Sequence, residues 1–243
     1  MAWGCVCYRP VNLVFDGVRG VLYPPMHLGV KWMLDGLENI PTEGAVILAS
    51  NHTSYLDPLA LGYFATKRGR RTRFLTKDEL FSKPVIGPLF RSVGHVPVKR
   101  GTADAANSLA AAEDALRQGR CIAVFPEGTI SLDLEPMVGK TGTARLAAAT
   151  GAPVVPIGLW GLHRVMFKGR KPRWRSGIAE VVKIGAPLSV APDEDISAAT
   201  DRIMEAICAQ VKLARAAYPQ SPAKGEGDWW IRSPETAVVR SCR

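Results

Sequence analysis

From Gly44 onward, short apolar runs alternate with stretches whose apolar residues recur every three or four positions. Residues 45–49, 73–75, 96–98, 122–125 and 154–159 read as strands, and 179–184 as a late one. Between them, Ala105, Leu109, Ala112 and Leu116 share one helical face, with Thr102 as N-cap and Gly119 as stop. A second helix is predicted over 141–150. A long amphipathic one runs over 193–218, where Ile196, Ile203, Ile207, Val211 and Ala214 mark the buried stripe and Pro219 ends it. The alternation predicts an α/β fold, with a mixed, mostly parallel central sheet flanked by helices.

The first 42 residues follow a different pattern. Val11, Val14, Val18, Val21 and Leu22 recur at helical spacing, as do Met26, Val30, Met33, Leu34 and Leu37, and Pro24-Pro25 divides the two sets. This predicts an amphipathic helical hairpin. Either it packs on the core as two ordinary helices, or it presents Phe15, Leu22, Tyr23 and Trp32 to a lipid interface beside Arg19 and Lys31. Residues 219–243 are rich in Ser, Pro, Gly and charge and read as a loose tail, with Trp229-Trp230 as its docking point. The expected division is a membrane-interacting region over 1–42, a catalytic-sized α/β domain over 43–218, and the tail.

Composition narrows the function. With 243 residues, 47% of them apolar, the chain can bury a substantial core. Its net charge of +9 favours anionic partners: phosphate esters, an acidic membrane surface or nucleic acid. The chain carries no recognised nucleic-acid-reading motif, and its aromatics do not interleave with its basic runs, so nucleic acid is the weakest of the three. The longest uncharged run, 146–163, is broken by Gly151, Pro153, Pro156, Gly158 and Gly161, so it reads as helix end, turn and buried strand rather than a membrane span. Five cysteines show neither a disulfide framework nor zinc-type spacing, and the N-terminus lacks signal-peptide character. Both point to the cytoplasm and to no metal centre.

Three segments carry candidate chemistry. Asn51-His52-Thr53-Ser54-Tyr55-Leu56-Asp57-Pro58 follows an apolar strand, where open α/β sheets gather ligands. Asp57 and Pro58 suit the start of a helix. The intervening turn can bring the carboxylate to one imidazole nitrogen and leave the other facing a substrate hydroxyl, a general-base arrangement. The bland alternative is a capping Asp57 beside a hydrogen-bonded His52. Ser54 lacks a nucleophile elbow and reads as a turn residue.

Val124-Phe125-Pro126-Glu127-Gly128-Thr129 ends the most strand-like run. There Gly128 permits close backbone approach to a ligand, and Glu127 can accept from substrate hydroxyls. Its bland alternative is a tight turn. Gly94–Arg100 ends a strand in Lys99 and Arg100, which suits a phosphate as well as it suits a solvated pair. Basic clusters at 67–73 and 164–175 suit acidic lipid or coenzyme phosphates. Gly139-Lys140-Thr141 mimics the end of a nucleotide loop, but Leu134 occupies the required upstream glycine position.

In this order the segments resemble the glycerolipid acyltransferase family typified by bacterial 1-acyl-glycerol-3-phosphate acyltransferases. The resemblance spans about residues 44 to 160. It rests on Asn51-His52 through Asp57, on Gly94 through Arg100, on the whole of Phe125 to Thr129, and on Val154-Val155-Pro156-Ile157. The segment Lys140-x-Gly142 followed by Ala144-Arg145-Leu146-Ala147 is also similar.

The resemblance implies direct acyl transfer from acyl-CoA or acyl carrier protein to a glycerol hydroxyl, giving phosphatidic acid. His52 would act as base oriented by Asp57, with Asn51 in support. Arg100, Glu127, Gly128, Thr129 and Lys140 would hold the glycerol phosphate, and no metal or cofactor is implied. It also implies a peripheral enzyme on the cytoplasmic face of an anionic membrane. Many members carry an arginine after the third-block threonine, where this chain has Ile130. Glycerol 3-phosphate or another lipid head group therefore stays open as acceptor. A non-catalytic anionic-lipid-binding module is the alternative from another class.

Overall fold

A computed structural model describes residues 13–98 and 105–231. The predicted alternation is present as seven strands: β1 (Val30–Asp35), β2 (Val46–Ser50), β3 (Thr72–Lys77), β4 (Val96–Val98), β5 (Cys121–Val124), β6 (Val154–Trp160) and β7 (Ile178–Ile184). Six helices accompany them: α1 (Leu13–Gly29), α2 (Asp57–Lys67), α3 (Ile86–Val93), α4 (Ala105–Arg117), α5 (Gly142–Thr150) and α6 (Ile196–Ala216).

The strands form one sheet in the order β1-β7-β6-β2-β5-β3-β4, parallel at every pairing except β6 with β7. Crossover helices cover both faces, so the central strands are buried on both sides and read as continuous apolar runs. Period-two alternation sorts their side chains. Ile47, Ala49, Ile122 and Val124 pack with α4, α5 and α6, whereas Val46, Leu48 and Ala123 pack with Leu61 and Phe64 of α2. Asp195 caps α6 by accepting from Ala198 N at 2.7 Å, and Ile203, Ile207, Val211 and Ala214 form its buried stripe. At Gly158 of β6 a Cβ would lie 2.3 Å from the Gln210 backbone, so α6 seats directly on the strand.

The chain ends depart from expectation. The hairpin's second arm is the edge strand β1, whose register runs Val30 opposite Ile178 to Asp35 opposite Lys183. Residues 30–35 carry both periodicities: Val30, Trp32 and Leu34 alternate with more exposed neighbours, and the hydrogen bonds of a free sheet edge select the strand. Pro24 and Pro25 lie inside α1 rather than between two helices. Two of the side chains expected at lipid turn inward. Trp32 stacks on Tyr63 with centroids 4.4 Å apart, and Tyr23 meets the same ring edge-on. Leu22, also expected at lipid, is exposed, as are Leu13, Val14, Val21 and Leu28 of α1.

The described part of the tail, 219–231, is docked rather than loose. Trp230 is buried against Trp160 and Phe167. Glu226 accepts from Arg164 Nε at 2.7 Å in a pair closed to solvent.

Candidate active site

Strands β2, β5, β3 and β4 run parallel, so the segments leaving their carboxyl ends share one edge of the sheet. The segments containing His52, Glu127 and Val98 therefore meet there, as ligand-binding loops do in open α/β folds. Arg100 and the N-cap position Thr102 lie outside the described residues.

His52 Nδ1 sits 2.9 Å from Asp57 Oδ2. The same carboxylate oxygen accepts from the amides of Thr53 and Ser54, each at 2.7 Å. Asp57 thus opens α2 but turns its carboxylate back onto the preceding turn rather than onto the helix amides. Three donors on one buried oxygen fix the carboxylate, and it in turn fixes the imidazole. The ring stacks on Phe125 at 4.0 Å and 17°, and Nε2 is the nitrogen left for the cavity that His52 lines.

Asn51 does not face that cavity. Its amide donates to Leu159 O at 3.1 Å and accepts from Leu159 N at 2.8 Å, pinning the exit of β2 to β6. Ser54 is buried, with its hydroxyl 2.8 Å from Met166 O and 3.1 Å from Leu162 O, which leaves it no path to act as a nucleophile. The 162–166 turn therefore braces the catalytic turn from behind, aided by Tyr55 N donating to Met166 O.

Glu127 requires a correction. It was expected to face the substrate, but it is 3% exposed and does not line the cavity. Its two oxygens accept from His52 N at 3.0 Å and Met137 N at 3.2 Å. Burial pushes this carboxyl up to about 8, against the opposing pull of those two amides. Glu127 is a brace that ties the His52 backbone to the following loop, a role legible only once β2 and β5 are known to be neighbours.

Gly128, Thr129, Ile130 and Lys140 do line the cavity. Gly128 has φ +74°, and a Cβ there would come 3.0 Å from Lys140 Nζ, so glycine lets the ammonium lie against the loop. The cavity holds about 1080 Å³. Its lining includes His52 and the cations Lys140 and Arg145. Apolar side chains share the wall: Val18 and Leu22 of α1, Phe74 of β3, and Leu89 and Phe90 of α3. Arg145, Lys77 and Lys168 were not singled out as individual candidates from sequence. Arg145 was visible only inside the matched segment after the third block, and Lys168 only as part of a basic cluster.

The acyltransferase family model matches residues 32–160. The chain belongs to the acyltransferase family. The chain is 34% identical over 154 residues to the chloroplastic 1-acyl-sn-glycerol-3-phosphate acyltransferase BAT2 of Brassica napus, covering 63% of the chain and 44% of the relative. It is 34% identical over 116 residues to a lyso-ornithine lipid O-acyltransferase of Rhodobacter capsulatus, covering 47% and 38%. The chain thus spans less than half the length of these curated relatives. The crystal structure of the 1-acyl-sn-glycerophosphate acyltransferase PlsC of Thermotoga maritima superposes with a TM-score of 0.68 at 26% identity, covering 85% of this chain and 81% of that chain.

Proposed function

We propose that this acyltransferase moves a fatty acyl group from an acyl thioester, acyl-CoA or acyl carrier protein, to the free hydroxyl of 1-acyl-sn-glycerol 3-phosphate, giving phosphatidic acid. The observation that carries the reading is the His52–Asp57 pair opening onto a cavity lined by both cations and apolar side chains. The names of BAT2 and PlsC support the choice of acceptor.

In this reading His52 Nε2 takes the proton as the acceptor oxygen attacks the thioester carbonyl, and Asp57 steadies the imidazolium. The tetrahedral intermediate collapses with cleavage of the C–S bond. The imidazolium then returns the proton to the departing thiolate, leaving an ester and a free thiol. Backbone amides after Gly128, whose own N–H is taken by Phe125 O, would stabilise the developing oxyanion. Lys140 and Arg145, with Arg100 as a further candidate, hold the phosphate. The apolar wall takes an acyl chain, each buried methylene contributing about 0.8 kcal/mol. The protein needs no cofactor in this scheme, because the thioester is already activated, and it works from the membrane surface. No helix among the described residues is long and apolar enough to cross a bilayer.

A second reading keeps the chemistry and changes the acceptor to glycerol 3-phosphate or another lyso-lipid. It is favoured by Ile130, buried where many members carry arginine, and by the Rhodobacter relative. A donor-by-acceptor matrix of initial rates, read as thiol release and product position, decides between them. The first reading predicts fastest turnover with lysophosphatidate. Equal or faster turnover with a phosphate-free lyso-lipid would overturn it.

A further inference from the structure

The chain contains no acidic residue between Glu135 and Glu180. Within that span, Lys168, Arg170, Lys171, Arg173 and Arg175 stand in eight residues around Trp174, whose side chain is 71% exposed. The neighbouring basic cluster at 67–73 is internally engaged: Arg68 donates to Ile40 O, Arg70 to Gly44 O, and Arg71 pairs with Asp16. The 168–175 cations have no comparable acids. The one carboxylate nearby, Glu226, already binds Arg164 through both oxygens and reaches Arg175 only at 3.9 Å.

The loop is nevertheless held in place. Arg173 N donates to Val165 O at 2.8 Å, Arg173 Nη2 donates to Gly225 O at 2.9 Å, and the Arg170 guanidinium lies 4.1 Å above the Trp229 ring. It also adjoins the cavity. Lys168 lines it, and just beyond the loop Gly177 N donates to Gly29 O at 2.7 Å, joining the loop to the end of α1. Helix α1 contributes Val18 and Leu22 to the same cavity and exposes Leu13, Val21 and Leu28.

We propose that the 168–175 loop is a docking surface for an anionic lipid bilayer, with its cations on the headgroups and Trp174 at the interface, so that the cavity is brought to the membrane where its lipid substrate resides. Charge complementarity supplies the attraction, because each Lys or Arg near an acidic leaflet strengthens partitioning about five-fold. Trp174 argues for lipid over an acidic protein, since an indole with one polar edge settles at the headgroup level. The proposal rests on the reading of the acceptor as a membrane lipid.

The test is sedimentation of the full chain with phosphatidylcholine vesicles, pure or doped with phosphatidylglycerol. It compares the wild type with Lys171→Gln/Arg175→Gln and with Trp174→Ala. None of these residues lines the catalytic cavity, so turnover on detergent-dispersed substrate should be unchanged; that assay reports separately on the activity itself. The double variant should lose about 30-fold in partitioning to the anionic vesicles and little to the neutral ones. Added salt should erase the wild-type advantage. Trp174→Ala should bind more weakly and lose quenching by brominated lipid. Binding of the variants equal to wild type overturns the proposal, as does a wild type that ignores anionic vesicles. Retained vesicle binding with selective loss of activity on acyl carrier protein would also overturn it, assigning the loop to an acidic protein instead.

Discussion

One oxygen of Asp57 receives Nδ1 of His52 and two backbone amides within 2.9 Å, so the imidazole and its carboxylate partner are fixed by the same six-residue segment. Replacing His52 with Ala should lower kcat by about two to four decades, measured as steady-state thiol release. Glu127→Gln tests the brace. Its amide group would confront either the His52 or the Met137 N–H, leaving one buried donor unpaired. Stability should fall by about 1–3 kcal/mol, and turnover should fall with little change in KM for the acceptor. A rise in KM alone would instead mark a substrate contact.

Glu180 offers a pH test at a residue outside the cavity. Burial raises its carboxyl well above the ordinary value, and only Oε2 has a partner, Leu162 N at 2.7 Å. A folded-state value above the unfolded one gives stability that is full below the unfolded value and lost as pH rises. Glu180→Gln keeps the Leu162 bond and removes that loss. The melting temperature of the variant should match wild type near pH 4 and exceed it increasingly toward alkaline pH, with turnover unchanged.

Among elements, the central strands and long helices were legible because their apolar spacing has one solution. Residues 46–50 are buried on both faces, and the α6 stripe fits only a helix. The 30–35 stretch was not, since its apolar residues satisfy two periods and only the vacancy beside β7 decides between them. α3 went unpredicted because Gly87 and Pro88 obscure its eight residues. Within the site, sequence identified His52, Asp57 and the glycine turn. It could not reveal that Glu127 reaches back across two strands, because that contact joins residues 75 positions apart. For 219–231 the sequence offered Trp229-Trp230 as the docking point but not the ion pair beside it, since Arg164 lies 62 residues from Glu226. There Arg164 also reaches Tyr218 and Gln220 at 3.0 Å and stacks on Trp230 at 4.2 Å. Glu226→Ala would strand a buried guanidinium, at a cost of about 3–5 kcal/mol in chemical denaturation.

At the scale of the whole molecule, parallel strands bring three sequence blocks to one sheet edge. Helices α1 and α3 wall an apolar space beside them, and the braced 162–166 turn backs the catalytic loop. Among the described residues Ser54 is bonded inward, and the cavity wall carries the His52 imidazole; in the proposed scheme the acceptor hydroxyl meets the thioester directly in that cavity. The reaction should therefore be a single direct transfer. The measurement that bears on this most directly is rapid-quench thiol release from acyl-CoA by stoichiometric enzyme, with and without lysophosphatidate. The account predicts release only when the acceptor is present, without a burst, and its near-abolition in His52→Ala. A burst of one thiol per enzyme in the absence of acceptor would contradict it.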